Sequence, residues 1–227
     1  MSWSKSKGGS DPGGDASTGP WGGRRGYHHG NLREALIQGA LELIAEKGPG
    51  GLTIADAARA AGVSSAAPYR HFKDREELLA EVAVRGFERF AEALTQAWSA
   101  GQPDPIRGFE RLGAAYLTFA RREPAYYATM FEAGLAPDGH PALRQAGDRA
   151  FGIVREAAEA TVALLPAKGR PPASMVALHV WALAHGTASL FARGDAGRRR
   201  LPMAPEDLLE AAVLIYLQGL GLHGGKR

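Results

Sequence analysis

Apolar positions along the chain recur at three- and four-residue spacing, with no sustained alternation of apolar and polar residues. That periodicity predicts an all-α protein. The predicted helices run over 32–47, 53–60, 65–71, 75–99, 104–122, 124–133, 141–165, 173–193 and 205–221. Capping chemistry marks the boundaries. Asn31 with Glu34, Thr53 with Asp56, and Asp74 with Glu77 each place an N-cap residue three positions before an acidic one. Such a pair satisfies N–H groups that a helix start leaves without partners. Gly48, Gly62, Gly101 and Gly134 mark stops, since glycine takes the left-handed conformation cheaply.

Composition narrows the class. Of 227 residues 45% are hydrophobic and 22% charged, as in an ordinary globular chain. Residues 1–26 are the exception: rich in Gly, Ser and Asp, they carry too little apolar surface to offset their ordering entropy. A flexible tail is expected there, ending in Arg24 and Arg25. The absence of cysteine excludes disulfides, zinc–thiolate sites and cysteine nucleophiles. His179 and His185, six residues apart, fall on different helix faces and form no helical metal pair, and no cofactor or metal is expected. No apolar run approaches the roughly 20 residues of a membrane span, and the N-terminus lacks the apolar stretch of a signal peptide. A cytoplasmic location is the expectation. Gly219–Gly224 matches G-x-G-x-x-G, but it follows a helix at the chain's end, without the strand before it that a dinucleotide site requires. With no other catalytic motif, an enzyme is not expected.

The net charge of +3 sits entirely in the first third. Residues 1–75 carry ten Lys/Arg against seven Asp/Glu, and residues 76–227 carry seventeen of each. A basic end beside a neutral remainder suits a nucleic-acid footprint. Within that end, Thr53–Phe72 reads as a helix, a tight turn at Gly62 and a second short helix. Ala58 lets the two approach, Ile54, Ala58, Val63 and Phe72 supply a small shared core, and Ser64 caps the second helix. Pro68 falls in that helix's first turn, where the lost hydrogen bond is only the first. This is the helix-turn-helix plan. A hairpin that merely packs has no use for Ser65, Tyr69, Arg70 and His71 crowded on a short exposed element, with Lys73 and Arg75 following. Those donors suit phosphate positioning and base-edge contacts. Arg198–Arg200 reads as a solvated run in a loop.

The run Leu32–Leu79, with GALELIAEKG and LTIADAARAAGVSSAAPYRHFKDREELL, closely resembles the DNA-binding domain of TetR-type transcriptional regulators. Ala58, Gly62, Val63, Ser64, Tyr69 and Phe72 fall in the family's places. Trp181-Ala-Leu-Ala-His185-Gly186 resembles the WHG signature of one class of TetR regulatory domains, and Tyr27-His-His-Gly-Asn-Leu-Arg33 is similar to that class's lead-in. The organisation then expected is a tail over 1–26, a three-helix DNA-binding domain over 27–75, and a helical regulatory and dimerisation domain over 76–227. The resemblance implies a homodimeric repressor on a (pseudo)palindromic operator, with a small-molecule pocket in each C-terminal domain. By carry-over, Thr53 bonds a phosphate through its N–H or hydroxyl. Ser65, Ala66, Ala67 and Arg70 face base edges, while Tyr69, His71 and Arg75 hold phosphates. Ser64, Lys73 and the tail's Arg24 and Arg25 complete the expected DNA-binding set. Ala66 and Ala67 offer only methyl contacts, and Pro68 replaces the family's usual aliphatic residue.

In the C-terminal two-thirds, Leu79, Val82, Phe87, Phe90, Leu94 and Trp98 recur at helical spacing, and plain packing accounts for any one of them. Tyr126, Tyr127, Met130 and Phe131 differ in mixing polarizable and hydroxyl-bearing groups, which suits an apolar pocket with a few directing polar atoms. With Phe90, Tyr116, Trp181 and His185 they make the expected ligand-binding set for a small apolar or aromatic inducer. Trp181 and His185 share a helix face at i, i+4, and fit equally a packed indole and a satisfied core histidine. The helices at 173–193 and 205–221 are apolar nearly all round, so they need a second partner surface. Pairing them with a second copy in an isologous four-helix bundle supplies it. The competing reading is a helical ligand-binding dimer whose helix-turn-helix no longer binds DNA specifically.

Overall fold

The computed structural model describes residues 32–192 and 202–222. Eight α-helices and no strand occur among the described residues: α1 (Leu32–Lys47), α2 (Ile54–Ala60), α3 (Arg75–Trp98), α4 (Pro105–Arg122), α5 (Pro124–Glu132), α6 (Pro141–Val162), α7 (Ala173–Ala192) and α8 (Pro205–Gly219). Each lies within three residues of its expected bounds. The exception is 65–71, where the chain makes only a four-residue 3-10 turn over Ala67–Arg70.

Side-chain caps are in place at the starts of α2, α3 and α4. The Thr53 hydroxyl accepts from the Asp56 N–H at 3.0 Å and donates to its carboxylate at 2.7 Å. Asp74 accepts from the Glu77 N–H at 2.9 Å, while the Glu77 carboxylate accepts from the Lys73 N–H at 2.5 Å. Asp104 caps α4 through the Arg107 N–H. Asn31 lies outside the described residues. Gly48, Gly62, Gly101 and Gly134 all have φ between 69° and 74°, as stops in the left-handed region require.

The head is formed by α1, α2 and the chain up to the start of α3, and the helices from α4 onward form the body. In the head, α1 crosses α2 closely because Gly39 has no side chain: a Cβ there would stand 2.9 Å from that of Ala60. Leu36, Ile37, Ala40, Ile44, Leu52, Ala57 and Phe72 close the core beneath them. α3 then runs about 36 Å from the head into the body. Its far end is fixed. Ser99 and Ala100 enter the left-handed region at φ 47° and 50°, a costly conformation for non-glycine residues. Neighbours over-determine it. Arg111 donates to the Ala97 carbonyl at 2.8 Å and to that of Gln102. The Trp98 indole donates to Glu156 at 3.0 Å and lies on Gly108, where a Cβ would come within 2.6 Å.

α3 packs against α4, α5 and α6, and α7 against α4, α6 and α8. α1 packs against α5 as well as α2, so head and body also meet away from α3. One expectation needs correcting: α7 holds 19 residues, Ala173–Phe191, with a mean hydropathy of 1.2, long and apolar enough for a span. Its composition follows from its packing. One face is buried on α4, α6 and α8, and the other leaves Met175, Leu178 and Leu190 exposed.

Candidate nucleic-acid interface and effector pocket

Pro68 explains why the second element of the head is a tight turn and not a helix. It has no N–H to donate, and its ring disfavours α geometry at Ala67. The chain instead closes with the Ala67 N–H on the Ser64 carbonyl at 3.0 Å and the His71 N–H on the Pro68 carbonyl at 2.8 Å. Ser64 is therefore not the cap. Ala66 occupies that position, with no side-chain hydrogen bond. Pro68 is buried and fills the core position. Around it Ser64, Ser65, Ala66, Tyr69, Arg70 and His71 are exposed, with Ala67 half-buried. Tyr69, at 62% exposed, is a large ring held in solvent by a rigid turn.

Two members of the expected DNA-binding set are otherwise engaged. The Arg75 guanidinium donates from Nε to the Leu52 carbonyl at 2.7 Å and from Nη2 to the Pro49 carbonyl at 2.5 Å, tying the start of α3 to the α1–α2 connection. This geometry commits Nε and Nη2 of Arg75 to the backbone of the α1–α2 connection. The Thr53 hydroxyl is committed to Asp56, whose carboxyl it holds below the usual carboxylate range, helped by Arg59. Lys73 is exposed, its amine 3.8 Å from Asp74. Arg24 and Arg25 lie outside the described residues, as do Tyr27–Gly30 and Arg198–Arg200.

A charged clamp that sequence reasoning did not find joins the other end of α1 to α3. Arg33 donates to Glu81 at 2.7 Å, Arg85 donates to the same Glu81 oxygen at 2.9 Å, and Arg85 grips both oxygens of Glu34 at 2.7 and 2.6 Å. The Arg33 hydrogen bond holds the Glu81 carboxyl below its ordinary range. The Arg33 guanidinium also sits 5.2 Å over the Phe72 ring. Only the i, i+4 pair Glu81–Arg85 was readable in sequence.

In the body, the expected ligand residues divide by helix face. Tyr126 and Met130 point toward α3: Arg89 stacks over the Tyr126 ring at 5.0 Å, and a Cβ on Gly86 would meet the Met130 sulfur at 2.8 Å. Tyr127 and Phe131, one position on, join Phe90, Tyr116, Trp181 and His185 in one ring cluster. Tyr116 meets Phe90 at 5.0 Å and Trp181 at 5.5 Å, both edge to face, and Phe131 lies 4.8 Å from the imidazole. The hydroxyls of Tyr116 and Tyr127 stand 3.0 and 3.1 Å from His185 Nδ1. Burial pushes both tyrosines up and His185 down, the latter opposed by Glu132, so the three are neutral and bonded together. His179 instead meets the Tyr216 hydroxyl on α8 at 3.0 Å.

The rings of the cluster pack on one another. A cavity of about 540 Å³ opens beside it, bounded by the C-terminal end of α1, by α4, α5 and α7, and by the start of α8. Of the expected ligand residues only Tyr127 lines it. The other walls include Ile44, Ala45, Leu117, Ala128, Ala188 and Phe191. Small aliphatic side chains carry no pocket signal in a sequence.

Residues 36–82 match the family described as bacterial regulatory proteins, tetR family, and residues 109–216 match the tetracyclin repressor-like C-terminal domain. No curated protein matches the chain. Among solved structures, a protein of unknown function from Rhodococcus sp. RHA1 is 31% identical at a TM-score of 0.72, over 86% of this chain and 98% of that one. The TetR family transcriptional regulator PfmR from Thermus thermophilus is 23% identical at a TM-score of 0.63, over 85% and 99%. The fatty acid degradation regulator FadR from Bacillus halodurans shares the fold at 13% identity and a TM-score of 0.65, over 87% and 97%.

Proposed function

The chain belongs to the TetR family of bacterial regulatory proteins, and on that premise we propose that it is a homodimeric cytoplasmic repressor, released from a (pseudo)palindromic operator by a small apolar or aromatic molecule. Family members are DNA-binding transcriptional regulators and not enzymes. The observation that carries the reading is the recognition turn: buried Pro68 and Phe72 hold it rigid, while Ser64, Ser65, Ala66, Tyr69, Arg70 and His71 face out. Ser65, Ala66, Ala67 and Arg70 face base edges. Ser64, Tyr69, His71 and Lys73 hold phosphates, with Thr53 adding its backbone N–H. Arg24 and Arg25 reach an adjacent minor groove. The exposed Leu178 and Leu190 of α7 and Leu214 and Ile215 of α8 support the dimer face. The Trp181–Gly186 stretch, within the C-terminal match, supports a WHG-type regulatory domain.

Selection of random duplexes on the purified protein tests this reading. Enrichment of an inverted repeat with half-sites about 34–36 Å apart, or a multiple of that, is the expected result. No enrichment at any salt concentration favours the ligand-binding dimer without DNA specificity.

A further inference from the structure

The 540 Å³ cavity falls within the roughly 300–1,000 Å³ typical of small-molecule sites. Its walls are apolar for the most part, with Ile44 on α1, Leu117 on α4, Ala128 on α5 and Phe191 on α7. Arg121 and Glu206, on its α4 and α8 sides, are ion-paired with each other, and Glu132 lines the α5 side. An uncharged occupant leaves the Arg121–Glu206 pair intact, whereas an anion meets two carboxylates and has to compete with Glu206 for Arg121. The Tyr127 hydroxyl belongs to the His185 network, so the cavity borders the aromatic cluster without entering it.

The position matters more than the volume. Ile44 and Ala45 stand on the last turn of α1, and Gly48 follows it; all three line the cavity. Gly48 leads into the turn whose Pro49 and Leu52 carbonyls hold Arg75, and Thr53 next starts α2. The opposite end of α1 is clamped to α3 by Arg33, Glu34, Glu81 and Arg85. Both ends of α1 are thus tied to α3, but only the C-terminal end borders the cavity, so an occupant that displaces this end shifts the connection that holds Arg75 and, with it, α2 and the recognition turn.

We propose that this cavity seats an uncharged, ring-containing apolar effector, and that the occupant acts on DNA reading directly through the end of α1. The proposal rests on the repressor reading above for its DNA arm, but not for the seat itself. The effector competes with DNA because the two favour different positions of α1, and linkage makes the effect reciprocal.

A matched pair of probes tests it: N-phenyl-1-naphthylamine, which is uncharged, and 1-anilinonaphthalene-8-sulfonate, the same ring system with a sulfonate. The full-length protein should take up the amine at one saturable site per chain, and the sulfonate at least tenfold more weakly. Ala128→Trp fills the cavity, and Ala45→Trp does so from an exposed position that the fold tolerates; each should weaken the amine at least tenfold, with circular dichroism unchanged. Leu164→Ala, exposed just beyond the end of α6, should leave amine binding as it is. Saturating amine should weaken selected DNA about fivefold or more, and DNA should weaken the amine by the same factor. Failure of the amine to bind, equal binding of the sulfonate, or unaltered binding in both tryptophan variants overturns the seat. Binding there without an effect on DNA affinity overturns the α1 route. A protein that selects no DNA sequence overturns the repressor reading alone, and the probe and variant arms still decide the seat.

Discussion

The head and the body bury their cores with different side chains. In the head, aliphatic side chains and alanines close around the Phe72 ring, and the hydrogen-bonding groups of the recognition turn face solvent. In the body, Phe90, Tyr116, Tyr127, Phe131 and Trp181 pack together, and the Tyr116 and Tyr127 hydroxyls meet His185. Packing and chemistry are thus carried by separate residues in the head and by the same residues in the body. A substitution on the reading face of the head should change binding and spare stability, whereas one in the ring cluster cannot spare stability.

Phe72→Ala breaks the head's side of that comparison hardest. Phe72 is 1% exposed, and truncating a buried ring costs about 3–5 kcal/mol. Urea unfolding should show that loss, with DNA binding lost alongside it. An unchanged midpoint contradicts the assigned core.

His185→Phe comes next. It keeps an aromatic ring but removes the imidazole nitrogen that the Tyr116 and Tyr127 hydroxyls both meet, a cost of about 1–3 kcal/mol. It also has a pH signature. Burial lowers the His185 pKa below 6.5, so the unfolded chain binds more protons than the folded one as pH falls toward that value. The stability it contributes is fully present above pH about 6.5 and is lost as pH falls through the depressed folded value. Thermal melts from pH 7.5 to 5 should therefore show a smaller acid loss in the variant than in the parent. Equal slopes remove His185 from the account.

Arg75→Met separates positioning from contact. Losing two hydrogen bonds to carbonyls should cost about 1–3 kcal/mol of stability. DNA affinity should fall with the salt slope unchanged. A phosphate-contacting Arg75, as expected from sequence, would instead lower that slope by about one unit.

The smallest effect is expected for Tyr69→Phe. The ring is exposed and the hydroxyl makes no contact with the core, so stability should stay within about 0.5 kcal/mol. DNA binding should weaken alike for all sequences. A change confined to one base position would move Tyr69 from phosphate to base contact.

The ease of reading the sequence divides along the same line. Thr53 and Asp74 announce helix starts through acidic residues three positions away, and the glycine stops are equally local, so the helix ends of the head are legible. Pro68 is the local feature that misled, because its ring tightens the turn instead of merely removing one bond. Arg75 sits where a phosphate contact is expected, and nothing nearby shows that it reaches carbonyls 23 and 26 residues earlier. In the body the ring identities were legible, but whether the rings enclose space or fill it depends on how α3, α4, α5 and α7 cross. The cavity wall is partly alanine, at Ala45, Ala128 and Ala188, and alanine gives no hint of a pocket.

That the recognition turn reads base sequence is tested most directly by binding curves for the parent and Arg70→Ala, on the selected duplex and on a scrambled one, across a range of salt. Arg70 is exposed at the end of the turn. Its loss should cost about 1–3 kcal/mol on the selected duplex, leave the scrambled one nearly unaffected, and relax the preference at one base position per half-site. Equal weakening on both duplexes would make Arg70 a phosphate contact, and a parent protein that does not distinguish the duplexes would contradict sequence reading altogether.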